Sequence, residues 1–199
     1  MARSKPAEKR AAGGHLWQEA SHVAQRAHRF QVRKDGRTPY ASHVARVALT
    51  IAAVFECTDE IVLAAALLHD TIEDTTTDYE DIADRFGDEV ARIVANLTHN
   101  AALPEHERDA AYDACLRVSC WRTKLIKLAD AYDNTSDIET YPHADRARQR
   151  ARMRAKALRV LAIAEPEATS HPLVSRAAAL LRAKLGLARK TGARTRHPR

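Results

Sequence analysis

The densest concentration of chemistry-bearing residues is the run Ile61 to Asp74, where eight apolar residues lead into His69-Asp70 and then Glu73-Asp74. On a continuous helix His69 and Glu73 stand four apart, Asp70 and Asp74 four apart, and Asp70 and Glu73 three apart. All can therefore reach one side. Carboxylates and an imidazole emerging from a buried segment need something to offset their desolvation and mutual repulsion, and a divalent cation does so directly. The alternative is an amphipathic helix whose C-terminal turn simply emerges into solvent.

Further ligands must come from elsewhere in the chain. His43 lies on a segment otherwise apolar at Val44, Val47, Ala48 and Ile51, and Asp130 ends the run Leu125-Ile126-Lys127-Leu128-Ala129. Taken singly, such residues are more often a satisfied core histidine and a helix-end carboxylate. Together with His69 and Asp70 they form a mixed nitrogen and oxygen set suited to Mn²⁺, Fe²⁺ or Zn²⁺ rather than Mg²⁺ or Ca²⁺.

The elements that must position these residues read as helices almost throughout, with abundant alanine and leucine and little β-branched alternation. A first helix is expected from about His15 to Gln31, closed by the loop Arg33 to Pro39, with Gly36 and Pro39 enforcing the break. A second follows over about 40–55, and a third runs from about Asp59 into the His69 to Asp74 segment. Thr77 with Glu80 suggests a capping box for a fourth, closed by Gly87, and Asp88 suggests a cap for a fifth. Pro104 opens a helical region reaching about Ile138 with some interruption. Pro142 and Pro172 open two more, and Gly186 ends the last. No glycine-rich phosphate loop is present, which counts against nucleotide kinases and dinucleotide-binding folds.

Length and composition fit one globular unit over 15–186, 199 residues being short for two. No run approaches the ~20 apolar residues that span a bilayer, and the N-terminal residues offer no apolar signal block. A cytoplasmic protein with no membrane association is expected. Cys57, Cys115 and Cys120 lack CxxC spacing and read as reduced, mostly packed thiols. The net charge of +6 suggests nucleic acid until its location is considered. Residues 1–14 carry +3 and residues 187–199 carry +5, leaving the body at about −2. Both ends are expected to be disordered basic segments, and nucleic acid is not the expected partner. The Arg146 to Arg159 run spreads its charges around a helix, as a solvated face does.

Four motifs in order resemble the hydrolase domain of RelA/SpoT homologues, specifically the stand-alone small alarmone hydrolases. They are Arg33-Lys34-Asp35-Gly36 with Pro39-Tyr40 and His43; Leu67-Leu68-His69-Asp70-Thr71-Ile72-Glu73-Asp74-Thr75; Phe86-Gly87; and Lys127-Leu128-Ala129-Asp130 with Asn134. The resemblance covers about residues 15–165 and implies an all-α HD-domain helical bundle. It also implies one divalent transition metal, Mn²⁺, on His43, His69, Asp70 and Asp130. Glu73 and Asp74 fall on the carboxylates that orient or deprotonate the attacking water. Arg33 and Lys34 fall on loop positions that hold a guanosine nucleotide, and Tyr40 and Asn134 on positions lining the nucleoside pocket. The implied reaction removes pyrophosphate from the 3′ side of (p)ppGpp, leaving GDP or GTP.

The chain departs from the family pattern at three points. Ala131 stands where many relatives have Arg, Val44 where proline is common, and Asp133 where His or Tyr precedes the asparagine. Asp133 brings a negative charge toward a pocket meant for a polyphosphate. Rival readings are the same metal site acting on NADPH or a nucleoside 5′-phosphate, and a non-catalytic binding protein using its basic ends. A homo-oligomer is left open.

Overall fold

The Ile61 to Leu68 run forms helix α3 (Glu60–Leu68), and its composition makes it the centre of the fold. Val62, Ala64, Ala65, Ala66, Leu67 and Leu68 are all buried. The alanines let neighbouring helices approach closely. The Asp59 carboxylate caps α3, accepting from the Ile61 and Val62 N–H groups at 2.9 and 3.2 Å. Its second oxygen takes the Arg122 guanidinium at 2.7 Å, fastening α3 to the start of a helix over sixty residues later in the chain.

The computed structural model describes residues 14–187. Around α3 pack α1 (Leu16–Ala27), α2 (Ala41–Leu49), α6 (Asp88–Asn96) and α8 (Trp121–Ser136). Beyond α8 lie α9 (Arg146–Ala168) and α10 (Pro172–Lys184), while α4 (Thr71–Asp74), α5 (Tyr79–Phe86) and α7 (Glu105–Val118) complete the set. No strand occurs among the described residues; the only pairing is a single bridge between Val32 and Pro39. The all-α bundle is as the sequence implies. Among the described residues no helix is long and apolar enough to cross a membrane. The expected disordered ends lie outside the described residues, apart from Gly14 and Leu187.

Several boundaries differ from the sequence reading, each for a local reason. The helix expected over 59–74 breaks at His69-Asp70 and restarts as the single turn α4. Side chains satisfy carbonyls of the last turn of α3: His69 Nδ1–H donates to Ala66 O at 2.8 Å and the Thr71 hydroxyl to Leu68 O at 2.7 Å. α2 continues as a π-helical turn over Thr50–Val54. The capping box of α5 sits one residue later than expected, on Asp78 and Asp81, because Thr77 is tied to the Thr75 hydroxyl. Gly87, at φ 87°, closes α5 and opens α6 at once, a backbone conformation that favours glycine. Ser119-Cys120 divides the long region after Pro104 into α7 and α8. Of the cysteines, Cys57 is buried, Cys115 half-buried and Cys120 exposed, all as free thiols.

Candidate active site

α2, the end of α3 and α8 bring two imidazoles and two carboxylates to one point. One donor atom each from His43, His69 and Asp130 lie within 4.8 Å of one another. Asp70 closes the cluster, with Oδ2 at 3.0 Å from His69 Nε2 and 3.6 Å from His43 Nε2. His43 Nε2 is 3.4 Å from Asp130 Oδ1. Donors bound at roughly 2.0–2.2 Å to one ion lie about 3 to 4 Å apart, so these separations fit a shared divalent metal.

The orientation of both rings is set from behind. His69 Nδ1–H is spent on the Ala66 carbonyl, so Nε2 faces the cluster, where it is buried beside Asp70 Oδ2 at 3.0 Å without the geometry of a good hydrogen bond. With Nδ1 holding the proton, the Nε2 lone pair is presented to the cluster, as a metal ligand requires. His43 Nδ1–H donates to Asp133 at 2.8 Å, which likewise turns Nε2 inward. Burial works against a charged His43, but hydrogen bonds to Asp130 and Asp133 outweigh it and raise the imidazole to about 9. The Asp70 carboxyl is lowered in spite of its burial, by the neighbouring His69. Asp130 is also held far below the ordinary carboxylate range against burial, chiefly by Lys127 with His43. Lys127 Nζ reaches Asp130 Oδ2 at 2.9 Å, and the Asn134 amide donates to Oδ1. Tyr40 donates its hydroxyl to Asp70 at 2.7 Å. Six of the residues singled out in the sequence therefore stand together: Tyr40, His43, His69, Asp70, Asp130 and Asn134.

The two further carboxylates stand in unlike surroundings. Glu73 accepts from the His99 backbone N–H at 2.9 Å and lies 3.0 Å from His99 Nδ1. Burial would raise its carboxyl, but these bonds outweigh it and hold it low. Asp74 is pushed up instead, first by burial and then by the charges of Asp70 and Glu73.

The Arg33 to Pro39 loop is a closed turn rather than an open tether. Asp35 accepts from the Arg37 and Thr38 N–H groups, both at 2.9 Å, and from the Thr38 hydroxyl at 2.6 Å. Gly36 has φ 69°. Within this turn Lys34 is exposed, whereas the Arg33 side chain is 8% exposed and lies 2.7 Å from Asp137. Arg33 also donates to Asn134 at 3.3 Å and sits over the Tyr40 ring.

Sequence reasoning missed three residues, Arg46, His99 and Asp137, and the contacts of Asp133. The Asp133 carboxylate, in sequence an added negative charge near a pocket meant for a polyphosphate, is buried against His43 and Arg46. His99 and Asp137 carried no spacing signal, whereas Arg46, one turn after His43 on α2, could have been noticed as a charge on an otherwise apolar face. An apolar groove of about 480 Å³, lined by Trp17, Ala48, Leu49, Leu63 and Leu67 among others, contains no titratable group and is not a rival site.

A buried cluster of this composition, set among helices and opening with a His-Asp pair, defines a class. The HD-domain family profile matches residues 20–168, and the chain belongs to that family. Among its relatives is guanosine-3′,5′-bis(diphosphate) 3′-pyrophosphohydrolase MESH1 of Drosophila melanogaster, 46% identical over 114 residues, covering 56% of this chain and 63% of the relative. The Homo sapiens protein of the same name is 41% identical over 121 residues, covering 60% of this chain and 68% of that one. The chain thus spans about two thirds of the length of these curated relatives. A solved structure of a metazoan ortholog of SpoT, described as hydrolysing ppGpp with a role in starvation responses, matches with a TM-score of 0.73 at 32% identity. That match covers 89% of this chain and 99% of the other.

Proposed function

We propose that this chain is a metal-dependent 3′-pyrophosphohydrolase of (p)ppGpp, acting in the cytoplasm with Mn²⁺ and leaving GDP or GTP and pyrophosphate. Its catalytic unit is residues 15–186. The observation that carries the proposal is a four-donor His/Asp cluster with Asp74 beside it, Tyr40 and Asn134 bonded to its carboxylates and Arg33 over the Tyr40 ring. The relatives named as acting on this nucleotide support the substrate.

His43, His69, Asp70 and Asp130 would hold the ion, which supplies a Lewis acid that lowers the pKa of water and polarises a phosphoryl oxygen. Asp74 takes the proton of the attacking water, since its raised carboxyl is the better acceptor of the adjacent pair. Glu73, anchored by His99, orients that water. Tyr40 and Asn134 line the nucleoside side, and each is braced on a metal-binding carboxylate, Asp70 and Asp130 respectively. Arg33 and Lys34 hold the nucleotide, the first from a fixed position and the second from solvent.

The deciding experiment offers the full chain with Mn²⁺ three substrates in parallel: (p)ppGpp, NADPH and a nucleoside 5′-phosphate. Pyrophosphate release from (p)ppGpp with kcat/KM well above phosphate release from the other two is expected. Preference for NADPH or the monophosphate would overturn the substrate assignment. Metal-loaded protein that hydrolyses none of them would overturn the activity.

A further inference from the structure

Asp133 lies three residues after Asp130 on α8, and Arg46 lies three after His43 on α2, so the same faces that carry two metal-site residues carry a second pair one turn away. The pair is closely made. Arg46 donates Nε to Asp133 Oδ1 at 2.7 Å and Nη2 to Oδ2 at 2.9 Å, a bidentate fork that leaves little freedom to the carboxylate. Oδ2 also accepts from His43 Nδ1 at 2.8 Å. Asp133 is 4% exposed.

The Arg46 side chain is 36% exposed, and an ion pair that reaches solvent on one side adds little net stability. The use of this pair therefore has to be sought in what it touches. It touches the rear nitrogen of an imidazole whose front nitrogen faces Asp70 and Asp130 at 3.6 and 3.4 Å. An acceptor fixed at that place stops the ring from turning over and makes its front nitrogen a stronger donor.

We infer that Asp133, clamped by Arg46, is the positioning residue that holds His43 in its metal-binding orientation. The inference rests on the reading of His43 as a ligand. The clamp extends further: Arg46 Nη2 reaches Asp137 Oδ2 at 3.0 Å, and that same oxygen receives Arg33 Nε at 2.8 Å. Carboxylates and guanidinium groups thus alternate from the metal cluster to the nucleotide loop. Removing Arg46 disturbs both ends, whereas removing Asp133 acts first on the metal end.

The test uses the full chain and follows metal binding directly, by Mn²⁺ titration and by the visible absorption of Co²⁺ at the site. Asp133→Ala should weaken metal affinity by about 10- to 100-fold and alter the Co²⁺ spectrum, as loss of a histidine's outer partner does. Asp133→Asn keeps an acceptor oxygen and should recover part of the loss. Arg46→Met should weaken metal binding less than Asp133→Ala and, at saturating metal, raise KM for (p)ppGpp more than it lowers kcat. Wild-type affinity with an unchanged Co²⁺ spectrum in Asp133→Ala would overturn the inference. If that variant does not fold, the same result in Asp133→Leu, of similar volume and without an acceptor, would overturn it. His69→Ala separates the two readings. Metal loss there with metal retained in the Asp133 variants defeats the positioning role alone, and metal retained in His69→Ala defeats the metal site itself.

Discussion

The His/Asp cluster proposed to hold the metal and the loop proposed to hold the nucleotide lie at opposite ends of one run of alternating charges, yet they are held in different ways. Each imidazole of the cluster is braced at its rear by a second group, His43 by Asp133 and His69 by the Ala66 carbonyl. Tyr40 and Asn134 brace Asp70 and Asp130. The loop braces itself through Asp35, and of its three cations, Arg33, Lys34 and Arg37, only Arg33 is tied into the core. Chemistry that needs donors fixed to a few tenths of an ångström is built on helices with long-range partners. On the proposed function, recognition of a highly charged nucleotide is left to a short turn with one fixed cation, Arg33, and two exposed ones, Lys34 and Arg37.

The sharpest way to break this comparison is at the cluster. His69→Ala or Asp70→Ala should abolish bound metal and activity together, as read by elemental analysis and turnover of the same preparations. Activity undiminished in chelator would refute the metal end outright. The same cluster gives a pH signature. Because the His43 imidazole is raised to about 9, its contribution to the stability of metal-free protein is fully present below its unfolded value of 6.5. That contribution is lost as pH rises through about 9, while metal affinity strengthens over the same range as the competing proton leaves. Thermal unfolding between pH 6 and 10, with and without Mn²⁺, should therefore show metal-free protein weakening and the gap to loaded protein widening. A gap that is flat or narrows would contradict the assignment of His43.

Next in size is the carboxylate pair. Asp74→Asn should lower kcat by roughly 10²-fold or more with metal retained, since it removes the proton acceptor. Glu73→Gln should cost less, because its partner His99 N–H can still donate to the amide oxygen. Equal losses would show that the different surroundings of the two carboxylates have no bearing on the reaction.

The smallest effects are expected at the loop, and they sharpen the contrast within it. Arg33→Ala should raise KM for (p)ppGpp by more than Lys34→Ala, because it removes a fixed cation and leaves Asp137 with Arg46 as its remaining guanidinium partner, while Lys34 gives up only an exposed charge. Neither should change metal content, and neither should affect a small phosphodiester that reaches only the metal. A larger effect from Lys34 would place the nucleotide outside the turn rather than against Arg33.

Much of this was legible in the residues themselves. The helical composition, the break at Gly36 and Pro39, and the order of the His43, His69-Asp70 and Asp130 motifs determined the fold class and the cluster. Apolar patterning and turn residues act locally, and a metal needs particular donor types wherever the chain places them. Only the tertiary structure decided what stands behind those donors. His43 and Asp133 are 90 positions apart and Glu73 and His99 are 26 apart, and no spacing rule relates them. The same holds for the break at His69-Asp70. Helical periodicity predicts a continuous helix there, but the His69 and Thr71 side chains take carbonyls of its last turn and let the chain turn into the site. Asp133 shows the difference most clearly. In sequence it is an extra negative charge near a polyphosphate pocket; in the fold, the approach of α2 gives that charge Arg46 and turns it toward His43, because packing between distant helices, and not residue type, decides which partner neutralises a buried carboxylate.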